Sequence, residues 1–252
     1  MIELESRNEV TVLRLAHGKV SAIDLELLEG IADELEKIEK SQARAVVVTG
    51  TGNSFSAGVD LFRVLDGGEA YLDRFLPVLS RSLVRLFTFP LPVVAAINGH
   101  AIAGGCILAC ACDYRVMALG KGKIGVPELV VGVPFPLIAL EILRDLIPDR
   151  HLQEVVYTGN TYPVEFARER GLVDELVDST KLLDRACELA EQFAAIPAES
   201  FRITKQQLRR HVMHRWELEA EEVDRQVAAA WASPDVQAVI RSYVEMTLGK
   251  KK

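Results

Sequence analysis

The sequence predicts an α/β fold, and three of its features do so. Two runs, ARAVVVTG at 43–50 and LPVVAAI at 91–97, are continuously apolar, as strands covered on both faces are. Beside them lie segments with helical periodicity, at 24–40 and 103–112. From about residue 181 onward only the helical period remains. Strands alternating with helices make a layered core. That core is expected over residues 1–190, with a helical region over 191–252.

Taken in order, VTVLRLA at 10–16 reads as a strand. DLELLEGIADELEKIEK at 24–40 reads as an amphipathic helix with Leu27, Leu28, Ile31, Leu35 and Ile38 on its buried face. The strand at 43–50 ends in a glycine turn. LPVVAAI repeats that pattern, and AGGCILACAC follows as a helix whose first turn holds the glycines. DYRVMAL at 113–119 and LVDEL at 172–176 read as further strands. KLLDRACELAEQFAA and the long stretch from Pro197 to Ala232 read as helices, with Pro197 the sharpest break.

A length of 252 residues, 49% hydrophobic and 26% charged, suits a chain that buries a substantial core. The net charge of −7 argues against nucleic acid or an anionic membrane as a partner, the only basic run being the terminal GKKK. The opening MIELESRNEVTVLRLA lacks the basic and apolar regions of a secretory signal. Cys106, Cys110 and Cys112 crowd into one apolar segment and Cys187 stands apart, which is not the spread of a disulfide framework. A reducing cytoplasm is the expected compartment, and the cysteines are expected to act as small apolar residues rather than metal ligands.

No Asp, Glu, Lys or Arg occurs between Arg85 and Asp113. A spanning helix is a poor account of this segment, because Pro90, Pro92, Asn98, Gly99, His100, Gly104 and Gly105 would break or polarise it. Strand, turn and buried helix suit it better.

Other motifs fail on detail. GTGNSF approaches a dinucleotide fingerprint, but Phe55 stands where a third glycine is needed. No G-x-S-x-G register surrounds Ser54 or Ser56, and GKGK at 120–123 lacks the rest of a phosphate loop. His211 and His214 share a helix face with no third ligand set by spacing, so an exposed polar face is expected there.

Two short loops of small residues remain, SFSAGVDL at 54–61 and GHAIAGGC at 99–106. Where such a loop opens a helix it frees backbone N–H groups, and a pair of these can hold a developing oxyanion.

At these residues the chain resembles the crotonase superfamily of enoyl-CoA hydratases and isomerases. FSAGVDL, NGHAIAGGCILACACDYRV, IGVPELVVG, TGNTYPVEFARERGLVDELV, the TK of FRITKQQL and WASPDVQA occur in the family's order. The resemblance implies a crotonase-like spiral of repeated ββα units, a helical C-terminal trimerisation region, and a homotrimer or dimer of trimers. It implies an acyl-CoA thioester as ligand, with no separate cofactor and no metal. By matching motif it places the oxyanion donors on Ala57 and Gly104. It assigns Ser56, Gly58, Val59 and Asp60 to the CoA-side wall, and Ala22 and Ile23 to the segment that meets adenine. Tyr71, Phe75 and Leu76 are expected to shape an acyl tunnel.

Hydratases of this family hold water between two glutamates. Here the first position is Ile107 and the second is Glu128, which follows Pro127 in GVPELVVG. One carboxylate suits a proton relay from C2 to C4 better than addition of water. The resemblance therefore runs closest to the monofunctional 3-enoyl-CoA to 2-enoyl-CoA isomerases. A glutamate among Val126, Leu129 and Val130 is expected to have a raised pKa. Phe135, in GVPFPLIALEIL, is expected to keep the acyl pocket apolar. Two alternatives stay open: a hydratase recruiting Asp60, Asp66, Glu69 or Asp73 as second acid, and a non-catalytic acyl-CoA-binding protein. Thioester hydrolysis is a further possibility.

Overall fold

A computed structural model describes residues 1–249; the terminal Lys250, Lys251 and Lys252, which complete the basic run, lie outside the described residues. The chain opens with an antiparallel hairpin, β1 (Ile2–Arg7) and β2 (Val10–Leu15). β1 is an addition to the strands expected from sequence. Its four central residues are exposed, so it carries no buried face for a hydrophobic pattern to reveal.

β2 starts a run of parallel pairings through β3 (Ala45–Thr49), β5 (Val93–Ile97), β7 (Tyr114–Ala118) and β10 (Glu175–Val177). A second sheet runs in the order β4 (Ser54–Ser56), β6 (His100–Ile102), β8 (Lys123–Gly125) and β9 (Thr161–Pro163). Each turn of chain thus gives one strand to each sheet and then a helix. β3 and β4 lead into α2 (Leu61–Phe87), β5 and β6 into α3 (Gly104–Cys110), and β7 and β8 into α4 (Glu128–Val131). This is the ββα spiral that the resemblance implies.

The unbroken apolar runs follow from burial on both sides of the first sheet. Val46, Val48, Ala95 and Ile97 face α1 (Leu25–Glu39), α2 and α3; Val47, Val94, Ala96 and Val116 pack on α8 (Leu182–Ala194). Asp24 caps α1, accepting from the Leu27 N–H at 2.8 Å, and its other oxygen meets His17 Nε2 at 2.7 Å. The uncharged stretch becomes the central strand β5 and α3, every residue of which is buried. All four cysteines are free and buried, and burial pushes the Cys112 thiol up to about 12. No described helix is long and apolar enough to cross a membrane.

Residue 190 lies inside α8, which ends at Ala194, and Pro197 caps the next helix. There α9 (Ala198–Ala232) begins, followed by α10 (Pro234–Tyr243). The tail is not a separate body, because Val212, Val227, Trp231 and Ile240 join the main core. The Thr-Lys pair anchors it. Lys205 Nζ reaches Asp113 Oδ2 at 2.7 Å and the Leu91 carbonyl at 3.2 Å, and Arg209 takes the other Asp113 oxygen at 2.8 Å.

Candidate active site

Glycines let two loops meet. A Cβ on Gly105 would stand 2.4 Å from the Ser56 carbonyl oxygen, and one on Gly99 would stand 2.0 Å from that of Asn53. Neither position admits a side chain. Asn98 fastens the crossing between the sheets, accepting from the Gly50 N–H at 2.9 Å and donating to the Gly52 and Ser54 carbonyls. Ala103, which opens α3, has φ 52° and ψ −128°, a conformation costly for a residue with a Cβ. Its N–H is held by the Gly125 carbonyl at 2.8 Å.

Beneath this crossing lies a cavity of about 450 Å³. Ala57, Gly58, Val59 and Asp60 line one side, Gly104 and Ile107 another, and Pro127 and Glu128 a third. The rest of the wall is apolar: Leu79, Leu83, Val131, Val133, Pro136 and Ala139, with Trp231 and Tyr243 from the tail. A wider groove of about 820 Å³ follows α9 beside Thr88 and Pro90, but it holds none of the expected catalytic or substrate-binding residues.

Several expected roles change place. The N–H of Ala57 already donates to the Val20 carbonyl at 3.0 Å, so it is not available to a ligand. The neighbouring Val59 N–H has no acceptor among the described residues. It lies beside Gly104, whose Cβ position is 3.7 Å from Val59 Cγ2 and 3.9 Å from Gly58 Cα. Gly104 is the first residue of α3, and its N–H has no partner within the helix.

Ile23 and Ser56 frame the loop rather than line the cavity. The Ile23 N–H donates to the Gly58 carbonyl at 2.8 Å and its carbonyl accepts from Asp60 at 2.9 Å, while its Cδ1 covers Gly104. Ser56 Oγ donates to the Ser21 carbonyl at 2.7 Å and accepts from the Gly58 N–H at 3.2 Å. Ala22 does line the cavity. Phe135 is buried outside it, its places in the wall taken by Val133 and Pro136. Tyr71, Phe75 and Leu76 are likewise absent from the wall; α2 breaks at Gly68, with φ 56°, and turns Leu79 and Leu83 inward instead.

Glu128 is buried, with 7% of its surface exposed. Burial pushes its pKa up to about 8, opposed by its own backbone N–H. The apolar surroundings are only partly those expected. Val126 is buried, but Leu129 and Val130 are exposed at 43% and 53%, and the cavity wall is made by Val131 and Val133 nearby and by Leu79, Leu83 and Trp231 far off in sequence. Glu128 Oε2 accepts no hydrogen bond among the described residues. Of the acids considered as a second carboxylate, only Asp60 reaches the cavity. Its Oδ1 caps α2, accepting from the Phe62 and Arg63 N–H groups at 3.0 and 3.1 Å. His211 and His214 are exposed, His211 lying 3.1 Å from Asp145. No cluster of three metal-binding side chains occurs among the described residues.

Sequence reasoning missed Val59 as the free donor and the walls given by Leu79, Leu83 and Tyr243. Trp231 opens the WASPDVQA motif that was noticed, but nothing local to it signals a place in the cavity.

Comparison with known proteins gives this geometry its context. Residues 5–249 match the family model described as enoyl-CoA hydratase/isomerase. The chain is 30% identical over 255 residues to mouse mitochondrial enoyl-CoA delta isomerase 1, with 100% of this chain and 88% of the relative covered. It is 32% identical to a putative enoyl-CoA hydratase of Thermus thermophilus, over 82% of this chain and 83% of that one. Among solved structures, human mitochondrial delta3-delta2-enoyl-CoA isomerase superposes with a TM-score of 0.95 at 26% identity, covering 100% of this chain and 99% of that one. Fold, motif order and the match along nearly the whole chain agree: the protein belongs to the enoyl-CoA hydratase/isomerase family of the crotonase superfamily.

Proposed function

We propose that the protein is an enoyl-CoA isomerase that moves a double bond from C3 to C2 of an acyl-CoA thioester. The observation that carries this reading is the arrangement of one uncommitted carboxylate, Glu128, in an apolar cavity with Ile107 facing it from α3.

In this reading the thioester oxygen sits between the N–H groups of Val59 and Gly104. As the C2 proton leaves, charge moves onto that oxygen, and two fixed donors stabilise it without reorganisation. Glu128 takes the proton from C2 as general base and returns it at C4 as general acid, which completes the allylic shift. A buried base with a pKa near working pH suits both halves of the cycle. Addition of water would need a second group to orient it, and Asp60 is occupied as a helix cap. The reading carries with it a homotrimer or dimer of trimers, in keeping with exposed apolar residues on α9, Leu208 and Leu218.

The test is direct. Purified protein is expected to convert a 3-enoyl-CoA into the conjugated 2-enoyl-CoA, followed by ultraviolet absorbance, and Glu128→Gln is expected to lose about 10²–10⁴-fold in kcat. Efficient hydration of 2-enoyl-CoA with no action on 3-enoyl-CoA would refute the assignment. So would release of free CoA as the main product, or CoA binding without turnover.

A further inference from the structure

Among the described residues lining the cavity, four side chains carry a protic or ionisable group: Asp60, Glu128, Trp231 and Tyr243. Two are occupied. Asp60 caps α2, and the Trp231 indole N–H donates to the Pro134 carbonyl at 3.0 Å. Glu128 Oε2 is buried with no hydrogen-bond partner among the described residues, and the fourth, Tyr243, is half-buried on the same wall.

Helical register brings these two together. α10 docks against the end of α4, so closely that a Cβ on Gly132 would stand 2.7 Å from Val239 Cγ1. Glu128 lies four residues before Gly132, and Tyr243 four residues after Val239. Each is therefore about one helical turn, roughly 6 Å, from the same contact. Both line the one cavity, which puts them on the same side of that contact. Burial and the Glu128 charge both push the Tyr243 hydroxyl pKa up, as proximity requires.

A lone carboxylate in apolar surroundings has a difficulty as a base. With its pKa pushed up to about 8, only about a tenth of it is ionised at neutral pH and able to accept the C2 proton. A hydrogen-bond donor favours the ionised form. The other titratable groups around Glu128 do not supply one. From α3, Cys106 is a fully buried thiol that burial keeps neutral. From α6 (Asp149–Thr158), packed on α4, Glu154 is held by Arg170 at 2.6 Å and lies near His151. From the start of α2 comes only Asp60, an acceptor.

We propose that Tyr243 is the positioning residue for Glu128: when an acyl chain fills the cavity, its hydroxyl donates to Glu128 Oε2 and holds the carboxylate ionised and aimed at the substrate. The inference rests on the isomerase reading given above. Tyr243 keeps its own proton throughout; only Glu128 exchanges one with carbon. The C-terminal helix thereby takes part in the chemistry through the base and does not merely close the pocket.

Tyr243→Phe removes the hydroxyl and keeps the ring, so the fold is retained and the thermal midpoint is expected to match wild type. Two readouts test the role. The first needs no turnover: the infrared band of the protonated Glu128 carboxyl, identified by its loss in Glu128→Gln, is titrated with a saturated acyl-CoA thioester bound. The second is the acidic limb of the pH profile of kcat on 3-enoyl-CoA. In the variant both are expected to move to higher pH by about one unit. kcat then falls about fivefold at pH 7, recovers toward wild type by about pH 9, and KM changes less than twofold. An unmoved titration, or a loss of kcat equal at every pH, overturns the proposal. A shifted titration in a protein that fails to isomerise 3-enoyl-CoA supports the hydrogen bond and defeats the isomerase reading alone.

Discussion

Glu128 occupies a place where a carboxylate is hard to keep charged, and stability and activity pull against each other there. Its folded-state pKa of about 8 lies above the usual 4.5. A raised carboxyl pKa means that the folded state binds more protons than the unfolded chain between those values, so this residue's contribution to stability is intact below about pH 4.5 and is lost as pH rises through 8. Glu128→Gln cannot ionise. Relative to wild type, it is expected to gain about 2–4 kcal/mol between pH 5 and pH 9. Chemical denaturation at the two pH values checks this. An equal difference at both would mean that the carboxyl is not desolvated. The same residue shows what sequence can supply. The Pro-Glu pair pointed to an acid that the structure does bury in the cavity wall, but Leu129 and Val130 were the wrong neighbours, because a single turn of helix sends adjacent side chains in different directions.

At the scale of the element, the shape of the cavity depends on how helix ends are seated. α4 is one turn long and ends on Gly132, whose φ of 91° suits glycine and whose missing side chain leaves room for Val239 of α10. Gly132→Ala adds both backbone strain and a clash. It is expected to cost about 1–3 kcal/mol in stability, measured by urea denaturation, and to lower kcat by moving α10 off α4. Full stability and full activity in this variant would show that the contact is not a constraint. The two loops of small residues make a related point. FSAG and AGGC were legible as places with spare N–H groups, yet the donor assigned from the first was Ala57. Its N–H is taken by the Val20 carbonyl, and the free group is that of Val59, two residues on. Hydrogen-bond partners 37 residues away decide such a question, and no local pattern carries them.

For the whole molecule, the buried face of each central strand was plain from composition, since Val46, Val47, Val94 and Ala96 have core on both sides. The two-sheet spiral needed the long-range pairings, among them β4 to β6 and β6 to β8. The tail reads as simple helix, and the low amphipathicity of α9 gives no hint that Trp231 enters the cavity. A homotrimer or hexamer is expected in solution, measured by light scattering after size exclusion. A monomeric mass across micromolar concentrations would sink that expectation.

By itself the sequence determined the α/β class, the central strands and the family resemblance, and it singled out Glu128 as the candidate acid, because these are carried by short-range periodicity and by motifs of adjacent residues. Only the tertiary structure decided which N–H groups are free, what desolvates Glu128, and that Tyr243 stands near it. The physical reason is that hydrogen-bond occupancy and burial are properties of groups brought together from distant parts of the chain.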